Sequence, residues 1–401
     1  MTPATDPTPD PRPTRRWPVG LFGMLALVAA VERSVARNEI RVTTVMTSAW
    51  TQSGPQLSKA TRSAVVCFGD SLVKDGVLPP VLERGHGLSA WNLALPKGMA
   101  PAHYFLLRRL LRSGARPAAV LIDGEVLRDD PLAETRVWPE LAGPAECADL
   151  ARTGRDAPFL ARALLGRLLI SFRARHEIRS AVLAALDGTT PLALWSLTKT
   201  WRNWNANRGA YVLTDRVDPP GVDPRLPELA VAGHLMAGWA CHPVNDAYVR
   251  RFLDLAEAHG VPVFWLLPPT HPALQLGRAR HGWDAAYVAY LRRLQARYPR
   301  LTVVDARHAG YPAQALVDVL HLGRTAAIFY TDSLGAVLRD RLAPAAGPRD
   351  RAADAALSRW VNLPRYDAPA AADLAAASPV EDLERSALAS APLSSGDRVR
   401  R

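Results

Sequence analysis

Val65-Val66-Cys67-Phe68-Gly69-Asp70-Ser71-Leu72 decides the reading of the fold. Apolar and largely β-branched residues run from Ala64 to Phe68, the pattern of a strand buried on both faces of a parallel sheet. Gly69-Asp70-Ser71 follows at once, so the next side chains fall at the C-terminal edge of that strand. Ligands bind at that edge in open α/β sheets. A serine placed there can act as a nucleophile if a histidine reaches it. A plainer reading has Asp70 or Ser71 capping a helix. Val73-Lys74-Asp75-Gly76 is a poor helix start, however, and Pro79-Pro80 a better first turn, so Ser71 is expected on a loop.

Outward from this stretch, strands and helices alternate. A helix from Pro79 to Arg84 leads to a second strand, Ala90 to Leu95, closed by the loop Pro96-Lys97-Gly98-Met99. Tyr104 to Arg112 repeats leucine and arginine at helical spacing, and Ala118 to Ile122 forms a third strand ending in Asp123-Gly124-Glu125. The rhythm lapses over residues 131–240 and returns at Asn245. A helix from Asp246 to His259 precedes strand four, Val261 to Leu267; a helix from Trp283 to Arg297 precedes strand five, Leu301 to Asp305; the last helix is Arg324 to Leu342. This order predicts a five-stranded parallel α/β sheet with right-handed crossovers and a helical insert between strands three and four.

Within the insert, Pro158 to Leu186 reads as one long helical pattern that carries His176 on its apolar face, more a helix residue than a ligand. Trp195, Trp201, Trp204 and Trp239 then stand among Asn203, Asn205, Asn207 and Arg208. Aromatic rings beside amides suit a sugar or another flat, polar substrate, which singles out Trp201, Trp204 and Asn203. Ordinary packing of an inserted cap is the commoner use of such residues. Gly209, Gly221 and the prolines at 219, 220, 224 and 227 mark loops.

The 401 residues, 48% of them hydrophobic, are enough for a sizeable core. The net charge of +11 is almost all arginine, since lysine occurs only at Lys59, Lys74, Lys97 and Lys199. The arginines are scattered, with no basic block and no interleaved aromatics, which favours a solvated surface over a nucleic-acid interface. Three cysteines show no CxxC or His/Cys spacing, so neither a metal nor another cofactor is expected. Cys67 belongs to the buried strand, and Cys147 and Cys241 would be free to pair in an exported protein.

Residues 1–16 are proline- and threonine-rich and expected to be disordered, with Arg15-Arg16 preceding an apolar run from Trp17 to Val31. Residues 17–36 read as an export signal or membrane anchor, with an apolar run, Trp17 to Val31, shorter than the roughly 20 apolar residues of a full span. Residues 37–60 follow as a linker, 61–345 as the α/β domain, and 346–401 as a tail expected to be disordered. The catalytic part is therefore expected outside the cytoplasm.

A partner for Ser71 is expected in the loop after the last strand, at Asp318-Val319-Leu320-His321. An aspartate three residues before a histidine on a turn can accept the ring Nδ1 proton and leave Nε2 facing the serine. Asp305-Ala306-Arg307-His308 has the same spacing, but Asp305 ends a strand, where a carboxylate commonly ties down a loop.

Phe68-Gly69-Asp70-Ser71-Leu72 and Asp318-Val319-Leu320-His321-Leu322 together resemble the first and last blocks of the SGNH (GDSL-type) hydrolases. The likeness covers about Ala60 to Asp130 and Asn245 to Leu342. It implies a flavodoxin-like three-layer sandwich in which Ser71 is the nucleophile, His321 the general base and Asp318 its orienter. It also implies an oxyanion hole built from the backbone N–H of Ser71 or Leu72 and that of Gly98, with Asn92 upstream. The family's third block, Gly-x-Asn-Asp, is replaced by Asp123-Gly124-Glu125-Val126, which lacks the asparagine. Three functions are consistent with this pattern: an esterase acting on carbohydrate or lipid acyl esters, an O-acyltransferase with the same triad, and a non-catalytic carbohydrate-binding module. The departure at the third block is shared with divergent membrane-anchored proteins of polysaccharide O-acetylation.

Overall fold

The computed structural model describes residues 19–37, 43–188, 193–215, 238–343 and 358–368. The proline-rich N-terminus, Arg15-Arg16, Trp17, the loop prolines at 219, 220, 224 and 227 with Gly221, and most of the tail lie outside the described residues.

In chain order, α1 (Val19–Arg37) and α2 (Val45–Ala60) precede β1 (Val65–Cys67). Then come α3 (Ser71–Gly76), α4 (Pro79–His86), β2 (Ala90–Asn92), α5 (Ala100–Arg112) and β3 (Ala119–Ile122). The insert carries α6 (Trp138–Leu141), α7 (Pro144–Gly154), α8 (Ala157–Leu168), α9 (Ile170–Arg173), α10 (Arg175–Leu186) and α11 (Ala193–Ala206). The core resumes with α12 (Pro243–Ala258), β4 (Val263–Leu267), α13 (Pro272–Arg280), α14 (Trp283–Arg297), β5 (Leu301–Asp305), α15 (Arg324–Leu342) and β6 (Trp360–Asn362). The predicted 158–186 helix is thus three helices. It breaks at Leu169, which is extended, and at Ala174; His176 on α10 is exposed.

The six strands form one parallel sheet in the order β2-β1-β3-β4-β5-β6. All strand exits therefore lie along one edge, and the order reverses beside β1, between β2 and β3. Burial on both faces explains the uninterrupted apolar runs. On β1, Val66 points into a core with Trp50 of α2, Phe105 of α5 and Phe252 of α12. Its neighbours Val65 and Cys67 point into a second core with Val73 of α3, Leu82 of α4 and Tyr330 of α15.

Two expectations are corrected. The sheet has six strands, not five, because Trp360–Asn362 pairs with β5 at the edge. Arg359 locks it there, donating to Gln295 O at 2.7 Å and Tyr298 O at 3.0 Å, while the Arg292 guanidinium lies 4.2 Å from the centre of the Trp360 ring. Three residues in an alanine- and proline-rich tail are too few to show a strand period.

The supposed linker is the second correction, since it contains α2. A Thr44–Thr47 capping box starts that helix, and Trp50 is fully buried. Trp50 donates from Nε1 to Pro96 O at 3.0 Å and meets Trp138 edge-on at 5.3 Å. Serine, threonine and glutamine dilute its hydropathy, which is why it reads as a linker.

The apolar stretch of α1 exposes Leu21, Phe22, Met24, Leu25, Leu27, Val28 and Val31. Among the described residues no helix is long and apolar enough to cross a membrane. All three cysteines are free.

Trp50→Ala should lower the unfolding free energy by about 3–5 kcal/mol, measured by urea denaturation, because a buried indole and its contacts are lost. An unchanged midpoint and slope would mean that α2 does not belong to the cooperative core.

Candidate active site

Strand β1 delivers the serine. Phe68 N–H still bonds Leu121 O of β3 at 2.8 Å, and the chain then turns at Gly69, whose φ is +143°. A Cβ at Gly69 would lie 2.6 Å from Asp123 Oδ1 and 2.7 Å from a Val73 methyl, so only glycine fits both the conformation and the space. Asp70 caps α3, its Oδ1 accepting from Leu72 N–H at 2.8 Å. Ser71 is the first residue of α3, not part of a loop. Capping and display are therefore both true: Asp70 caps and Ser71 is presented. A helix of six residues is too short to announce itself by apolar spacing.

The histidine arrives from the other end of the chain. A bridge between Leu316 and Leu322 closes a tight loop, with Val317 N–H donating to His321 O at 2.9 Å. Inside it, Asp318 Oδ1 accepts from the backbone N–H of Leu320 and of His321, each at 2.8 Å. Its Oδ2 lies 2.7 Å from His321 Nδ1. An ionised carboxylate only accepts, so Nδ1 carries the proton and Nε2 is left as the acceptor. Ser71 Oγ–H points to that nitrogen across 2.8 Å. His308 takes no part: it is exposed, and Asp305 holds Arg307 in a paired contact at 2.7 and 3.0 Å.

The charges around this relay are arranged for a basic imidazole. Burial alone would lower the His321 pKa, but the Asp318 hydrogen bond and the charges of Asp75, Asp318 and Asp70 outweigh it and lift it above the ordinary value. Asp318 is pushed up by burial, yet the bond and charge of His321 and the two backbone N–H donors hold it below its usual range. Asp75 Oδ2 stands 3.9 Å from His321 Nε2, on the Ser71 side of the ring. Burial raises Asp75 to about 7, against the pull of His321 and Lys74. Lys74 is itself lowered to about 8 by burial, with Asp75 opposing. Its Nζ sits 4.9 Å from the centre of the Trp204 ring.

Several candidates from sequence are otherwise engaged. Asn92 is buried, donating from Nδ2 to Val73 O at 2.8 Å and Val77 O at 2.9 Å and accepting Ala94 N–H at 3.0 Å. It ties β2 to α3 and has no donor left for an oxyanion. Gly98 N–H closes a turn onto Leu95 O at 2.7 Å, so it is not a ready donor either. Glycine is needed there for another reason: a Cβ would fall 2.5 Å from Gly69 O. Leu72 N–H is held by Asp70, whereas Ser71 N–H has no acceptor among the described residues. Asn203 bonds both polar groups of Val212, Nδ2 to O and Oδ1 from N–H, each at 2.9 Å, and so fixes the insert rather than facing a ligand. Trp201 donates to Ser48 Oγ, and with Trp204, Gln52, Gln56 and Asn205 it lines a shallow cleft between α2 and α11.

Asp75 and Lys74 went unassigned from sequence. Asp75 is four residues after Ser71, which puts both on one face of a helix, but only once α3 is recognised as a helix. The chain matches no protein-family model, and no curated protein matches it.

Asp75→Asn removes a negative charge that favours the imidazolium, so the His321 pKa should fall in an NMR titration of the ring. Where His321 acts as a base, the acid limb of the rate profile should move to lower pH in the same variant. An unaltered His321 titration would remove Asp75 from the electrostatics of the relay.

Proposed function

We propose that the chain is a serine esterase acting on carbohydrate or lipid O-acyl esters, with Ser71 as nucleophile, His321 as general base and Asp318 as its orienter. The observation that carries this reading is the relay Asp318–His321–Ser71, with bonds of 2.7 and 2.8 Å. The sheet order of the first five strands is that of flavodoxin-like folds, and it supports the resemblance to SGNH hydrolases.

In this reading Ser71 Oγ attacks the ester carbonyl as its proton passes to His321 Nε2. The imidazolium is stabilised by Asp318 and faced by Asp75. The developing oxyanion meets Ser71 N–H at the start of α3. Collapse breaks the ester C–O bond, and the Nε2 proton goes to the leaving alkoxide. Water, deprotonated by the same nitrogen, then releases the acid. Transfer of the acyl group to a carbohydrate hydroxyl shares the first half of this sequence and differs only in the acceptor. With a single backbone donor assigned, turnover on simple esters should be slow. In this reading a flat sugar ring would meet Trp201 in the cleft between α2 and α11, whereas Trp204 is buried, with Lys74 against its ring.

A serine-directed phosphonate should label the folded protein at Ser71, mapped by peptide mass spectrometry. Ser71→Ala should abolish labelling and lower esterase kcat/KM by about 10^3-fold or more. A folded protein that takes up no label at Ser71 would instead favour the non-catalytic binding module.

We further propose that the N-terminal segment exports or anchors the protein, on the basis of Arg15-Arg16 and the apolar run to Val31. The first forty residues fused to a topology reporter should give extracytoplasmic signal. Activity confined to the cytoplasm would refute this.

A further inference from the structure

Directly beneath Ser71 lie two carboxyl groups, Asp70 and Asp123, each 1% exposed. Asp123 Oδ1 accepts from Asp70 N–H at 3.0 Å, and Asp70 Oδ1 accepts from Leu72 N–H at 2.8 Å. The remaining oxygens, Asp70 Oδ2 and Asp123 Oδ2, are buried and find no donor among the described residues. The two side chains are nevertheless within hydrogen-bonding contact of each other. Asp123 Oδ1 reaches this position because Gly69 carries no Cβ; one built there would lie 2.6 Å from it.

Two ionised carboxylates in this arrangement are physically untenable. Both would be acceptors only, both would lack a donor, and two like charges would sit in contact away from water. Among the described residues the one cation facing the pair is His321, which favours the ionised form of Asp70 alone. Glu125 faces the pair but is engaged by Arg278. Tyr287 of α14 and Tyr330 of α15 face Asp123, and burial holds both phenols neutral. His321 and Asp75 face Asp70 with opposite signs. A proton shared by the pair supplies the missing donor and removes one charge together.

We propose that Asp123 is carried as the neutral acid, donating its proton to Asp70, and that this one-proton pair is what seats Ser71 at the start of α3. Asp70 and Asp123 are then positioning residues. The proton belongs on Asp123 because Asp70 has Leu72 N–H and the His321 charge to favour its ionised form, whereas Asp123 meets the negative charges of Asp70 and Glu125. In keeping with this, burial raises Asp70 to about 6 and Asp123 well above the ordinary carboxyl value. A neutral acid has one donor and one acceptor, as an amide does. Asp123 therefore does inward, toward Asp70, what an asparagine side chain could do, with a switchable proton in place of a fixed one. This holds for the seating of Ser71 whatever chemistry Ser71 performs.

Infrared difference spectra, wild type minus variant at pH 7, read the proton directly. Wild type minus Asp123→Asn should show a carboxylic-acid C=O stretch that shifts in D2O. Wild type minus Asp70→Asn should show the same band, because the amide introduced by that substitution would supply a donor and let Asp123 ionise. An asparagine in place of Asp70 can still cap Leu72 N–H, so the Asp70→Asn variant carries the test if Asp123→Asn fails to fold.

Stability gives a second reading. Because the Asp123 pKa is raised on folding, its contribution to stability is fully present below the unfolded value of about 4 and is lost as pH rises toward the folded value. Asp123→Asn has no such group, so the Tm of the variant minus that of wild type should become more positive as pH rises above about 4. Absence of the acid band from both difference spectra, or a Tm difference that does not vary with pH, would overturn the proposal.

Discussion

The hydrogen bond from Ser71 Oγ to His321 Nε2 joins residues 250 positions apart, and nearly everything in the fold serves to bring those two atoms within 2.8 Å. It is possible because every strand of the sheet runs the same way, so the exits of β1 and β5 open on one edge. Each end is then fixed locally. Asp70 caps α3 and sets the direction of Ser71, and three contacts to Asp318 set the plane of the imidazole. His271 N–H, in the loop after β4, bonds Val319 O at 3.0 Å and anchors the histidine loop to the sheet edge from the side.

The same edge concentrates electrostatic cost. Asp70, Lys74 and Asp123 are buried and Asp75 is partly so, all within a few residues of Ser71 or directly beside it. Each departs from its ordinary pKa in the direction that burial dictates, toward the neutral form. A domain stable by only about 5–15 kcal/mol does not keep such a cluster for stability's sake. Perturbed groups gathered around a serine–histidine pair fit the reaction centre proposed above. What distinguishes this cluster is that it surrounds the hydrogen bond between Ser71 Oγ and His321 Nε2.

Much of this was legible in the chain. Val65 to Phe68, Val263 to Leu267 and Leu301 to Asp305 are apolar runs long enough to declare buried strands, and their exits predict the meeting of Ser71 with Asp318 and His321. Less legible were elements whose signal is short or diluted. Strand β6 is three residues long, α3 is six, and α2 hides one decisive tryptophan among serines and threonines. Donor availability was not legible at all. Asn92 and Gly98 occupy suitable places in the sequence, but whether their N–H groups are free depends on Val73, Val77 and Leu95, contacts that only the folded chain creates. The role of Asp123 was likewise hidden, since its partner Asp70 is 53 residues away on another strand exit.

The most direct test of the relay is the rate of phosphonate inactivation at Ser71 as a function of pH, in wild type and in His321→Ala. If His321 activates Ser71, the wild-type rate should rise as the imidazole loses its proton, at a pH above the ordinary histidine value, and His321→Ala should be slower by orders of magnitude with that rise abolished. Equal rates in the two proteins, or a wild-type rate indifferent to the ionisation of His321, would contradict a serine activated by this histidine.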